Sequence, residues 1–190
     1  MAFNAVTGSK FDPAFLARRI LTNSLAFSVG ECVLSYAAGV AAKGVAGAPI
    51  LGIIIGFEEN DGRAIRPDQV QKGTTAYNGS VVSLTAASNN QTVAKRVAVV
   101  CFDPSVIWSA ECNGTINTTA TSGLPGAGID VDSANTTYTR VLESTATRTA
   151  ATITNFVIRA NDNGTSYDPA DSTRLLVSIQ CSEIFSSKKG

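Results

Sequence analysis

The stretch from residue 95 to residue 112 constrains the fold of this chain more than any other. Two runs rich in β-branched and aromatic residues meet there at Asp103-Pro104, a turn-forming pair. The first run, residues 97–102, is apolar on both of its alternating faces. Such a strand must be covered on both faces, either by a second layer of its own fold or by another chain. The second run alternates more cleanly, and we expect its Trp108 to pack in the core, with an interface anchor as the alternative.

Short β-type runs separated by Gly, Pro and Asn turns recur along most of the sequence. The later ones are expected near residues 79–85, 95–102, 106–112, 138–143, 152–160 and 174–182. This pattern predicts an all-β fold, a sandwich or barrel of short, mainly antiparallel strands. We expect one β domain over residues 27–186, with a split into two β subdomains near 60–78 as an option, and a tail at 187–190.

The segment around residues 13–21 carries the one strong helix signal. Asp12 suits the N-cap, Pro13 suits the first helical position, and the apolar residues that follow have helical spacing. The sequence therefore predicts a short helix within an N-terminal arm, residues 1–26. A helix this short is not stable alone, so it must lie on something. Two alternatives stay open: it packs on its own domain, or the arm docks on a partner.

Residues 1–24 of the arm contain six Phe, Leu and Ile side chains, on a segment too short to bury them by itself. We predict that they form an interface with a partner: Phe3, Phe11, Phe15, Leu16, Ile20 and Leu21.

Charge and composition disfavour several classes of function. The chain has 15 Lys and Arg and 15 Asp and Glu residues, hence zero net charge, and no concentrated basic run. A nucleic-acid partner is therefore not expected. The sequence contains no histidine, the commonest general base and metal ligand, so we expect no enzyme, cofactor or metal site. The acidic groups at Glu58-Glu59, Asp61 and Asp130-Val-Asp132 are expected to be turn residues.

Four cysteines lie in apolar or strand-like surroundings. None has the short spacing of a zinc site, so we expect buried free thiols from a reducing compartment, with one or more disulfides as the alternative. They are Cys32, Cys101, Cys112 and Cys181.

The longest apolar run, residues 46–57, is too short to cross a bilayer and contains a proline and three glycines. We expect a buried strand there and no membrane partner. Gly52 and Gly56 within it are expected to allow close packing or a bulge.

Three segments together resemble the head decoration, or cement, proteins of tailed bacteriophages, especially those of marine phages. The first, residues 27–57, begins Phe-Ser-Val-Gly-Glu-Cys-Val and ends Pro-Ile-Leu-Gly-Ile-Ile-Ile-Gly-Phe. The second is the 97–111 stretch with its Asp-Pro turn, and the third is the turn and final strand of residues 161–180. The matches keep the family's order over residues 27–182. The second acidic residue that the family has before the proline is Phe102 here, and the N-terminal segment is not part of the pattern.

The resemblance implies a structural virion protein without catalytic activity. It would be made in the host cytoplasm and would bind the phage major capsid protein on the outer surface of an icosahedral shell. There it would cement neighbouring capsomers against internal DNA pressure. A self-associated form is expected, with a homotrimer favoured and a dimer as the alternative. The rival function is an exported surface β-sandwich adhesin or fibre protein, for which the sequence shows no export signal.

Overall fold

The computed structural model describes residues 3–6, 8–21, 26–36, 40–58, 62–64, 83–85, 97–113, 126–132, 141–147, 154–161, 174–180, 182 and 184. Within them the chain forms short strands and one 3-10 turn, Pro13–Phe15. The strands are β1 (Asn4–Ala5), β2 (Leu16–Leu21), β3 (Ala26–Ser28), β4 (Cys32–Tyr36), β5 (Val40–Lys43), β6 (Gly52–Glu58), β7 (Ser83–Thr85), β8 (Val97–Cys101), β9 (Trp108–Glu111), β10 (Gly128–Val131), β11 (Val141–Thr147), β12 (Phe156–Asn161) and β13 (Arg174–Ile179). The predicted all-β class is confirmed.

Five strands close into a barrel in the order β2-β5-β4-β6-β8. The β2–β5 pair is parallel, and the other four pairs are antiparallel. Strand β8 closes the barrel, because Val97–Cys101 pairs with β2 on one side and with β6 on the other. A short separate pair, β3 with β7, accompanies the barrel.

A second sheet has six strands in the order β1-β9-β13-β12-β10-β11, all antiparallel. The sheet curls so that its last strand, β11, comes back to β9. There Cys112 forms an isolated parallel β-bridge with Val141, and the Asn113 N–H donates to the Val141 carbonyl at 3.1 Å. Backbone groups alternate between the two edges of a strand. Because of this alternation, β1 and the first residue of β11 both lie along the edge of β9 that faces away from β13.

The described residues form two apolar cores. The barrel core consists of Ala17, Phe27, Val33, Leu51, Ile54, Phe57, Ala98, Val100 and Phe102, with Phe15 and Ile184 packed against it. The shared core lies between the barrel and the curled sheet, and unites Cys32, Ile50, Ile53 and Cys101 of the barrel side with residues of β9 to β13. Strands β6 and β8 therefore contribute alternate residues to two different cores.

This arrangement answers the question raised by residues 97–102. Ala98, Val100 and Phe102 face the barrel core, and Cys101 faces the shared core. Both faces of β8 are therefore covered by other parts of the same chain. The apolar pattern of this strand does not require a second chain. The chain also passes from the barrel to the curled sheet near Asp103-Pro104, not near 60–78, because β8 belongs to the barrel. The division suggested at 60–78 is corrected accordingly.

The helix predicted over residues 13–21 is wrong. The cap itself forms as expected, since the Ala14 N–H donates to Asp12 Oδ1 at 2.8 Å, but the turn ends at Leu16, whose backbone is extended. From there β2 pairs with Cys101–Val97 of β8 and also with β5. A helix as short as the predicted one, residues 13–21, has only its local propensity to stabilise it. A strand here instead gains two ladders of hydrogen bonds and closes the barrel, so the tertiary structure overrides the local signal.

The separate N-terminal arm, residues 1–26, is corrected for the same reason. In the described part of that range β2 is one strand of the barrel, and β1 belongs to the curled sheet. Of the two alternatives left open by the sequence, the structure shows packing on the chain's own domain.

The two glycines of β6 provide a matched test of close packing. A Cβ at Gly52 would meet the Cys101 carbonyl oxygen and lie 2.9 Å from Val100 Cγ1, whereas a Cβ at Gly56 meets nothing within 4 Å. The ladder of β6 with β8 also shifts register between Ile54 and Gly56, which confirms the expected bulge. We expect Gly52→Ala to lower the free energy of unfolding by about 1–3 kcal/mol. Gly56→Ala should stay within roughly 0.5 kcal/mol of the parent in chemical denaturation. Equal losses in the two variants would contradict the close approach at Gly52.

Candidate interaction surface

Two large hydrophobic side chains are exposed among the described residues, Val29 and Val45, each at 42%. Val29 precedes β4, and Val45 follows β5. These strands are antiparallel, and the Gly44 N–H donates to the Cys32 carbonyl at 2.9 Å, so both valines lie at the same end of the barrel. The barrel-end surface is defined here by the exposed residues Val29, Val45, Ala46 and Gly47.

The barrel-end surface is uncharged over its longer part. Residues 44–50 read Gly-Val-Ala-Gly-Ala-Pro-Ile and contain no ionisable side chain. An exposed apolar turn of this kind is suited to contact with another macromolecule.

Buried polar side chains of the curled sheet hold this turn from beneath. The Gly47 N–H donates to Asp130 Oδ2 at 3.2 Å, and Asn155 Nδ2 donates to the Ala48 carbonyl at 2.6 Å. Asp130 Oδ1 in turn accepts from the Asn155 N–H at 2.9 Å, and Asn155 Oδ1 accepts from the Val131 N–H at 3.2 Å. The turn is thus fixed before any partner arrives, which reduces the entropy lost on binding.

The prediction that Asp130 is a turn residue is wrong. Asp130 lies within β10, Asp132 directly follows that strand, and both are buried. The burial of Asp130 was not apparent from the sequence because the N–H groups that it accepts from are far along the chain, at Gly47 and Asn155.

The other acidic group takes part in a surface ion pair. Glu58 ends β6 and accepts from Arg18 of β2, at 2.8 Å from Nε and 3.0 Å from Nη2. These hydrogen bonds and the negative charge of Glu58 raise the pKa of Arg18. Glu59 and Asp61 lie outside the described residues. Over the part of the chain that the structure describes, no three His, Cys, Asp or Glu side chains gather into a group that could hold a metal ion.

Four of the six predicted interface residues contact the chain's own core. Phe3 is 2% exposed and stacks on Phe156 with ring centroids 4.8 Å apart. Phe11 stacks on Trp108 at 5.9 Å. Phe3 is therefore corrected from a partner contact to a core residue.

Phe15 and Leu16 are half-buried. Phe15 makes an edge contact with Phe102 at 5.7 Å, and Leu16 packs against the shared core. Ile20 and Leu21 belong to β2, but their side chains lie outside the described part of the structure. The sequence analysis missed Val29 and Val45, and only their position in turns beside Gly30 and Gly44 could have suggested them.

The thiols that the structure describes confirm the expectation of free cysteines. Cys32, Cys101 and Cys112 are buried and unbridged, and Cys181 lies outside the described residues. Burial raises the pKa of the Cys32 thiol well above its ordinary value, and the neighbouring Glu31 carboxylate adds to the shift. Burial also raises the pKa of Cys101.

The raised pKa of Cys32 predicts an alkaline loss of stability. The unfolded chain ionises this thiol at its ordinary pKa, while burial keeps it neutral to a higher pH in the folded chain. Its contribution is therefore complete below the ordinary pKa and declines as the pH rises toward the folded-state value, by up to ~1.4 kcal/mol per pH unit. Denaturation between about pH 8 and 10 should show a steeper decline in the parent than in Cys32→Ser, because a hydroxyl does not titrate there. Identical slopes would contradict this assignment.

Comparisons with known proteins identify no relative of this chain. No protein-family model, curated protein or solved structure matches the chain. In the described residues no helix is long and apolar enough to cross a membrane.

Proposed function

We propose that this chain is a structural virion protein that binds the outer surface of an icosahedral tailed-phage capsid and cements neighbouring capsomers. The proposal starts from the sequence resemblance over residues 27–182. The observation that carries it further is the position of Val29 and Val45. Both exposed valines lie in the segment 27–57 that resembles the opening unit of the decoration proteins, and both lie at one end of the barrel.

In this proposal the barrel-end surface contacts the major capsid protein. Burying one valine side chain is worth about 1.5–3 kcal/mol, so a few such contacts per copy give modest affinity. A protein that binds only the assembled lattice stabilises that lattice by mass action. The turn held by Asp130 and Asn155 suits this role because little chain has to be ordered on binding.

Self-association remains part of the proposal, with a homotrimer favoured and a dimer as the alternative. Its support is now the preference of identical subunits for closed cyclic symmetry.

The first test is the location of the protein. Purified virions of the phage that encodes the chain should contain it, as measured by mass spectrometry, and antibodies should label intact particles on the outside. Its absence from the particles, or its recovery from the host-cell surface, would overturn the proposal.

The second test addresses the attachment surface. We expect the double variant Val29→Asp and Val45→Asp to reduce occupancy on undecorated heads roughly tenfold or more, since two apolar contacts are replaced by charges that must be desolvated. Ala14→Asp adds a charge at an exposed position outside the barrel-end surface and serves as the control. Circular dichroism should show that both proteins remain folded. If the double variant and the control occupy heads equally, the attachment surface lies elsewhere.

A further inference from the structure

The curled sheet closes along a seam, the edge of β9 that faces away from β13. Strand β1, the first described strand of the chain, occupies part of this seam. Residues 107–109 pair with β1, through Asn4 opposite Ser109, Ala5 opposite Trp108, and a hydrogen bond from the Val6 N–H to the Ile107 carbonyl at 3.0 Å. Farther along the same edge, Cys112 and Asn113 pair with Val141 of β11 through a β-bridge and a backbone hydrogen bond. Strand β1 therefore fills the part of the seam that β11 leaves open.

Phe3 is the anchor of this strand. Its ring is almost fully buried in the shared core and stacks on Phe156 of β12, and its N–H donates to the Gly30 carbonyl at 2.9 Å. The rest of the strand contributes a two-residue ladder, with Asn4 exposed and Ala5 half-buried. The contacts of β1 thus include one aromatic side chain buried in the shared core, the packing of Ala5 against that core, and backbone hydrogen bonds.

A turn connects β1 to the rest of the chain. The Ser9 N–H donates to the Val6 carbonyl at 3.0 Å, and Gly8 has φ +90°. No other described element precedes β1, so its withdrawal displaces no other described strand.

We infer that this seam is a strand-acceptor site, filled here by the chain's own residues 3–6 and able to receive the same residues from a second copy of this chain. The occupant is defined because the structure shows which sequence fits the site. An exchanged strand would make the same contacts with Phe156, Gly30 and β9 as the resident strand makes. The two forms differ chiefly in the hinge, as in other domain swaps.

The acceptor site can be tested by complementation in trans. The full chain carrying Phe3→Ala should bind a synthetic peptide of residues 1–9, which should raise its melting temperature in a concentration-dependent way. Trp108 is the chain's one tryptophan and lies opposite Ala5, so its emission should change on binding. The same peptide carrying Phe3→Ala is the matched control and should do neither. Phe3→Leu, which keeps an apolar side chain, is used in the same way if Phe3→Ala does not fold. A folded acceptor that ignores the parent peptide would overturn the inference.

The hinge provides an independent test of exchange between copies. A Cβ at Gly8 meets nothing within 4 Å, so Gly8→Ala changes only the backbone preference. Because alanine disfavours a positive φ, this variant should shift the equilibrium from the closed monomer toward exchanged oligomers, by roughly fivefold or more. Light scattering over a range of concentrations measures the shift, and the added Phe3→Ala substitution should abolish it. An unchanged monomer fraction in Gly8→Ala would contradict exchange. Neither test involves a capsid, so their outcome is separate from that of the proposed function.

Discussion

Replacing Trp108 with alanine should lower the free energy of unfolding by about 3–5 kcal/mol. The side chain is 2% exposed, stacks with Phe11, and belongs to the shared core between the barrel and the curled sheet. Its loss leaves a cavity that strands fixed on both sides cannot close. Denaturant unfolding followed by circular dichroism measures the change, since the variant has no tryptophan fluorescence.

Trp108→Phe separates packing from hydrogen bonding. Among the described residues the buried Trp108 Nε1 has no hydrogen-bond partner, so removing this N–H group sacrifices no interaction. We expect a loss well below that of Trp108→Ala, because most of the aromatic surface remains. If Trp108→Ala melts like the parent and only assembly is impaired, Trp108 is an interface residue and its place in the core is wrong.

Replacing Asn155 with alanine should cost about 2–5 kcal/mol. The change leaves the Val131 N–H and the Ala48 carbonyl without the partners that Asn155 supplies, and an unsatisfied buried group costs about 1–3 kcal/mol. We also expect faster proteolysis near residues 44–49, because the turn loses a hydrogen bond to the curled sheet. Limited proteolysis and denaturant unfolding measure the two effects.

Gln180→Ala is the matched control for Asn155→Ala. Gln180 is exposed, and its side chain accepts one hydrogen bond, from Thr154 Oγ1 at 3.2 Å. Its removal should cost less than about 1 kcal/mol. Comparable losses in the two variants would show that the buried network has no special role in joining the sheet to the barrel.

The strands with the strongest local patterns were predictable from the sequence. The runs on either side of Asp103-Pro104 form β8 and β9, and the turn between them is made by Asp103, which accepts from both the N–H and the hydroxyl of Ser105. The second half of the apolar run at 46–57 forms β6, and the closing alternation forms β13. Each has enough β-branched and apolar residues in period two for the strand to be read without knowledge of its neighbours.

Elements with a weak or misleading local pattern were not predictable. Residues 16–21 have helical spacing and become β2. Residues 40–43 carry a weak strand pattern and become β5. Asp130, expected to be a turn residue, lies within β10. In each case the strand forms because a neighbouring strand offers an unpaired edge. That edge exists only after distant segments have come together.

The candidate sites show the same division. Phe3, Phe11 and Phe15 attract attention in the sequence because they are large and apolar near the start of the chain, yet Phe3 is a core residue and the other two contact Trp108 and Phe102. Val29 and Val45 look ordinary in the sequence, and they stand out only because they are exposed at one end of a barrel.

The sequence by itself determined the all-β class, the buried thiols of Cys32, Cys101 and Cys112, and the burial of Trp108, because these follow from composition and from local two-residue periodicity. The tertiary structure alone decided that the two faces of β8 belong to two cores and that residues 16–21 close a barrel. It also decided that β1 seals the seam of the curled sheet. These features depend on pairings between residues tens of positions apart, and such pairings leave no periodic signal within any one strand.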